Sequence, residues 1–187
     1  MKNTLRAFAL FISSLAVGQE SAAPTAKLRV AGVFFKKFTV WRTETPNCAT
    51  PTTPPWLKLY CGFAKCPKPA SLGIPLDLNY TNWRANPNQT EVLIEAGKPF
   101  VMHLGGDYVQ ASLGAGFLAA AGLPYTVSKT ACVFDASFTP QAGAMYEATI
   151  DPYEKGCVLL LTEIRHTPAG IYERFAVEGA EVKACPK

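Results

Sequence analysis

The chain has 187 residues, 49% of them hydrophobic and 17% charged, with 18 Lys and Arg against 14 Asp and Glu. That apolar share suffices for one buried core. The near-balance of charge excludes the electrostatic footprint of a nucleic-acid binder or of a protein held to an anionic membrane, because such binding needs clustered basic residues and the longest cluster here is Phe35-Lys36-Lys37-Phe38.

The first residues, MKNTLRAFALFISSLAVGQES, carry Lys2 and Arg6 ahead of an uncharged apolar run from Ala7 to Val17. Small residues Ala16 and Gly18 occupy the −3 and −1 positions of a signal-peptidase site. Residues 1–18 are therefore expected to be a secretory signal peptide, and residues 19–187 a single exported domain, secreted or periplasmic. With Lys2 and Arg6 removed, 16 of the 18 basic residues face 14 acidic ones. The rest of the sequence holds no convincing transmembrane segment.

Lys27 to Arg42 reads as two strands rich in β-branched and aromatic residues, with Lys36-Lys37 as the solvated tip of a hairpin between them. Residues 43–75 differ. Seven prolines fall between Pro46 and Pro75, which rules out a central strand. The expectation is a long ordered loop held by disulfides, with one short strand at Trp56–Tyr60. Residues 76–90 read as a short strand and a turn. Glu91–Glu95 and Pro99–Leu104 flank Ala96-Gly97-Lys98, a hairpin pattern in which Gly97 supplies the positive φ. Residues 108–128 carry no charge; they read as a short helix at 108–121, an apolar loop closing one end, or an exposed apolar patch. Tyr125–Phe138, Tyr146–Ile150 and Cys157–Ile164 are three further strands, and Ile171–Val177 a weaker one. The run Cys157-Val-Leu-Leu-Leu161 is apolar at successive positions and predicts a central strand covered on both faces.

Eight or nine short strands separated by turns give an all-β reading: an antiparallel β-sandwich of immunoglobulin or transthyretin type with a Pro/Cys-rich loop insertion. Cys132, Phe134, Ala136 and Phe138 alternate onto one face, as do Tyr146, Ala148 and Ile150. Pro140 and Gly143 turn the chain between these strands. Tyr146 is expected to enter the core ring-first, with its hydroxyl hydrogen-bonding the turn backbone. This is similar to the tyrosine corner of immunoglobulin-type sandwiches, although Ala148 stands where their cysteine follows.

Six cysteines, at 48, 61, 66, 132, 157 and 185, are an even number in a chain read as exported. They predict disulfides, with Cys132–Cys157 as the best single pair. Cys48, Cys61, Cys66 and Cys185 are then left to staple the proline-rich loop to itself and to the C-terminus. A zinc site is disfavoured, since the sequence has no C-x-x-C pair and two histidines. No other metal or cofactor is implied.

Ala96-Gly97-Lys98-Pro99, Cys132, the Phe138/Pro140/Gly143/Tyr146 turn and Cys157 together resemble a group of uncharacterised exported bacterial proteins that share an AGKP…C…FxPxxGxxY…C pattern. The resemblance implies the architecture and no activity.

Candidate chemistry is sparse. Ser112 sits in Gln-Ala-Ser-Leu-Gly, a partial nucleophile elbow lacking its first glycine. His103 or His166 could act as base and Asp107 or Asp135 as orienting acid, so a secreted hydrolase built on Ser112 and His103 is one reading. His103 is expected to be a half-exposed strand residue, on the face opposite Phe100, Met102 and Leu104. His166 is expected to face solvent. Asn79 and Asn88 head formal glycosylation sequons, expected to be unused in a bacterial protein. Tyr80, Trp83, Arg84 and Asn86 form an aromatic-polar loop cluster which, with Phe117 of the apolar segment, is a candidate surface for a protein or carbohydrate. The preferred expectation is a non-enzymatic binding or envelope-associated module. A further alternative is an inhibitor or immunity-type partner of a secreted enzyme.

Overall fold

A computed structural model describes residues 23–32, 35–60, 71–75, 88–111, 121–122, 127–153 and 156–186. Ten strands form among them: β1 (Thr25–Gly32), β2 (Phe35–Thr43), β3 (Leu57–Tyr60), β4 (Asn88–Glu95), β5 (Phe100–Ala111), β6 (Val127–Phe138), β7 (Met145–Tyr153), β8 (Gly156–His166), β9 (Tyr172–Ala176) and β10 (Glu181–Ala184). They make two five-stranded sheets. The first has the order β4-β1-β7-β8-β9 and the second β10-β6-β5-β2-β3. β1 and β7 run parallel; the other pairs are antiparallel. The β-sandwich anticipated from the sequence is the observed fold. No helix of the described residues is long and apolar enough to cross a membrane.

Period-two alternation builds the core. Leu28 and Val30 of β1, Tyr146, Ala148 and Ile150 of β7, and Leu159 and Leu161 of β8 face Phe38 and Val40 of β2, Phe100, Met102 and Leu104 of β5, and Cys132, Phe134, Ala136 and Phe138 of β6. Each fully buried aliphatic or Phe side chain removes enough apolar surface from water to contribute about 1.5–3 kcal/mol. The Cys132–Cys157 disulfide crosses this core, with Cα atoms 5.8 Å apart, and ties β6 to β8.

The turn before β7 works as the tyrosine corner anticipated. Tyr146 is 1% exposed. Its ring packs 4.9 Å from that of Phe138, and its hydroxyl accepts a hydrogen bond from the Gln141 amide at 3.0 Å. Burial pushes the phenol pKa up. Gly143, at φ 76°, donates its amide to the Thr25 carbonyl. Gly97, at φ 79°, donates its own to the Pro140 carbonyl at 2.8 Å. The Ala96-Gly97-Lys98-Pro99 turn and the Phe138-to-Tyr146 turn thus bond to each other. Tyr146→Phe should lower stability by about 1 kcal/mol, the usual worth of one such bond. The urea midpoint reads it directly, and an unchanged midpoint would deny the hydroxyl a role.

Several expectations need correction. Residues 27–42 are not a hairpin: β1 and β2 lie in opposite sheets, and Lys36-Lys37 falls inside β2, where the pairing with β5 shifts register. Ala96-Gly97-Lys98 likewise joins β4 of one sheet to β5 of the other. Alternation and turn chemistry are the same for a hairpin and for an arch between sheets, so local sequence does not separate them. Tyr108–Ala111 is strand, the end of β5, because its backbone pairs with Val127–Thr130; the remainder of the 108–121 helix expectation, residues 112–120 and Phe117 among them, lies outside the described residues. Asn88–Thr90 belong to β4 rather than to a turn. β10 pairs Glu181–Ala184 with Phe134–Ser137 and was not legible, since two of its four residues are charged.

Candidate functional site

The proline-rich segment lies against both outer faces of the sandwich, and each face carries a buried polar cluster where it docks. On the outer face of the second sheet, His103 of β5 and Asp135 of β6 are opposite one another in the ladder. His103 Nδ1 lies 2.6 Å from Asp135 Oδ1. Asp135 Oδ2 accepts the Cys48 amide at 2.5 Å. The loop over residues 44–56 is held there by three ties: that amide, the Cys48–Cys185 disulfide, and the Trp41 indole N–H donated to the Thr53 carbonyl at 3.1 Å. The Trp41 ring meets His103 edge-on at 5.6 Å. His103 is 4% exposed and Asp135 2%. The half-exposed histidine expected from alternation is therefore corrected: it does point away from the core, but the loop covers it.

Cys48, Cys185 and Asp135 bring potential ligand atoms within 4.8 Å of one another. The two sulfurs are bonded to each other, so this is a disulfide beside a carboxylate and not a thiolate metal site. The pairing places Cys48 with the C-terminal Cys185, one of the connections left open by the sequence.

On the outer face of the first sheet, residues 71–75 cross over Arg29 of β1. All five guanidinium N–H groups have acceptors. Nε and Nη2 reach Glu91 Oε1 at 3.1 and 2.7 Å; Nη1 reaches Glu147 Oε2 at 2.7 Å and the Pro75 carbonyl at 3.0 Å; Nη2 also donates to the Ile74 carbonyl. Glu91 Oε2 in return accepts the amides of Leu72 and Ile74. Arg174 of β9 adds contacts to both Glu147 oxygens and to Pro75. Lys27 Nζ donates to the Leu72 carbonyl at 2.6 Å. Burial would raise the Glu91 pKa, but the Arg29 hydrogen bond, the two strap amides and the Arg29 charge together hold it below the ordinary value. The sequence reading missed Arg29, Glu91, Glu147 and Arg174. Nothing local marks them, since each occupies an outward position that normally faces water.

The structure brings His103 and Asp135 together, while Asp107 lies further along β5, level with Ala131. Ser112, Tyr80, Trp83, Arg84, Asn86, Cys61 and Cys66 lie outside the described residues. Ala111, the neighbour of Ser112, ends β5 roughly 26 Å from His103 at about 3.3 Å per strand residue. His166 is exposed at the end of β8, its ring 5.0 Å from that of Tyr172.

A third feature is the far end of β8. β9 pairs only Thr162–His166, so among the described residues Gly156–Leu161 has a ladder partner on the β7 side alone. Val158 and Leu160, on the outer face, are 44% and 46% exposed. The strand expected to be covered on both faces is thus open on one.

No protein-family model matches the chain, and no curated protein or solved structure matches it either.

Proposed function

We propose that this chain is an exported, disulfide-stapled β-sandwich that works by binding, secreted or periplasmic, and that its partner is an extended apolar segment of another protein laid along the free edge of β8. The mismatch at Val158 and Leu160 carries the reading. A strand that is apolar at successive positions is normally buried on both faces, and natural edge strands are guarded by charge, proline or bulges. Cys157-Val-Leu-Leu-Leu161 has no such guard and leaves two large side chains in water beside a backbone edge with no ladder partner among the described residues. Strand addition at such an edge supplies main-chain hydrogen bonds for affinity and side-chain contacts for specificity. The two disulfides among the described residues suit an oxidising compartment, in keeping with the signal-like N-terminus. The 44–56 loop covers His103 and Asp135, which argues against an open hydrolase centre at that pair.

The test is site-specific photo-crosslinking in the producing cell. A benzophenone side chain replacing Leu160 should capture one partner, and the same group replacing the exposed Lys98 should not. Val158→Lys combined with Leu160→Lys should abolish capture from a neighbouring probe position while changing the unfolding free energy by no more than about 0.5 kcal/mol, as for other exposed sites. Equal capture at both positions, or a double variant that unfolds, would overturn the reading.

A further inference from the structure

The two bridges among the described residues sit in different surroundings. Cys132–Cys157 is part of the packed core, with Cys132 2% exposed. Cys48 and Cys185 are half-buried, within reach of solvent, and lie against a buried carboxylate. Cys48 also has φ 58°, the only non-glycine among the described residues with positive φ. A residue with a Cβ is strained there, and such strain persists only where surrounding contacts enforce it. The enforcing contacts are the bridge itself, the Cys48 amide donated to Asp135, and the Ala49 amide donated to Asn47 Oδ1 across it.

We infer that Cys48–Cys185 is a thiol-exchange site, a bridge that a dithiol reductant opens in the folded protein, with Asp135 as its proton carrier and His103 as the group that positions Asp135. One thiol of the reductant passes its proton to the Asp135 carboxylate, and its sulfur attacks the half-buried bridge. The protein S–S bond breaks as a mixed disulfide forms, and the departing cysteine sulfur takes the electron pair as thiolate. The second thiol of the reductant then displaces the other protein cysteine. The reductant leaves as a cyclic disulfide, and the protons of its two thiols end on Cys48 and Cys185. Asp135 has a carboxylate oxygen within 4.8 Å of both sulfurs, so it can hand a proton to either one as it leaves. His103 Nδ1 lies 2.6 Å from Asp135 Oδ1 and fixes the direction in which the carboxylate points.

The charged or titratable groups that face Asp135 are His103 on β5 and Lys183, opposite it on β10; the loop presents the Cys48 amide. Opening the bridge removes one of the contacts that hold Cys48 in its left-handed backbone conformation, which favours the reduced state. Strained and accessible bridges are the labile ones among disulfides.

The experiment is reduction of the folded protein with limiting dithiothreitol, quenching by alkylation, and mass-spectrometric mapping. Cys48 and Cys185 should be alkylated at least about tenfold faster than Cys132 and Cys157, with far-UV circular dichroism retained. Simultaneous loss of both bridges, or earlier loss of Cys132–Cys157, would overturn the proposal. In Asp135→Asn, which keeps an oxygen for the Cys48 amide, the reduction rate of this bridge at neutral pH should fall about tenfold, and its pH profile should collapse to that of the attacking thiol alone. His103→Gln should shift the profile without removing it. An Asp135→Asn rate and pH profile identical to those of the unaltered protein would remove Asp135 from the mechanism. If either variant fails to fold, the two-bridge rate comparison in the unaltered chain still decides the thiol-exchange site.

Discussion

Arg29→Ala is expected to lower the unfolding free energy by about 3–5 kcal/mol, the cost of stripping one partner from a buried ion network. Arg29 is 2% exposed and bonds at once to Glu91, Glu147 and two carbonyls of residues 71–75. Its loss leaves Glu91 and Glu147 covered, with Arg174 as the remaining guanidinium at Glu147. Arg29→Lys should recover part of the loss, because an ammonium restores charge but cannot spread five donors over four partners. Urea denaturation of the three proteins gives the comparison, and a loss under 1 kcal/mol in Arg29→Ala would show that the strap is not pinned there. The same cluster sets an acid limit. The Glu91 pKa is held below its ordinary value of 4.5. A carboxylate lowered in this way stabilises the fold above its unfolded pKa and loses that contribution as pH falls through the folded one. Stability should therefore decline below pH 4.5, and the decline should be shallower in Glu91→Gln.

The second large effect is expected from the core bridge. Replacing Cys132 and Cys157 together by serine should cost about 2–5 kcal/mol, the usual range for a native disulfide in a small domain. The bridge closes a loop with a sequence separation of 25 and crosses the inter-sheet core. Its loss releases an unfolded-state constraint and leaves hydroxyls where sulfur was packed. Calorimetry of the double variant reads the change. A midpoint unchanged from that of the intact protein would mean that the bridge does not form in solution.

These two sites differ in how visible they were in the sequence. Cys132 and Cys157 stand on strands whose alternation is plain, and their pairing was reachable from spacing and strand order. Tyr146 was legible for the same reason: Pro140, Gly143 and the following alternation are local signals. Arg29 was not. Its neighbours Leu28 and Val30 fix it as outward-pointing, and an outward arginine on a strand ordinarily meets water. What buries it is a segment more than forty residues away, and covering of that kind leaves no local trace. His103 was misjudged by the same mechanism on the opposite face, where the 44–56 loop lies over it. The sheet to which a strand belongs was also hidden, as β1–β2 and β4–β5 show. β8 failed in the reverse direction: its composition asks for two covers, and the described residues supply one.

The account rests on the proline-rich segment being fastened across the outside of a sandwich by one bridge while another locks its core. Non-reducing peptide mapping of protein collected outside the cytoplasm addresses this most directly. The account predicts one linked peptide joining Cys48 to Cys185 and another joining Cys132 to Cys157. Cys48 linked to a different cysteine, or Cys132 recovered with a different partner or alkylated as a free thiol in unreduced material, would contradict it.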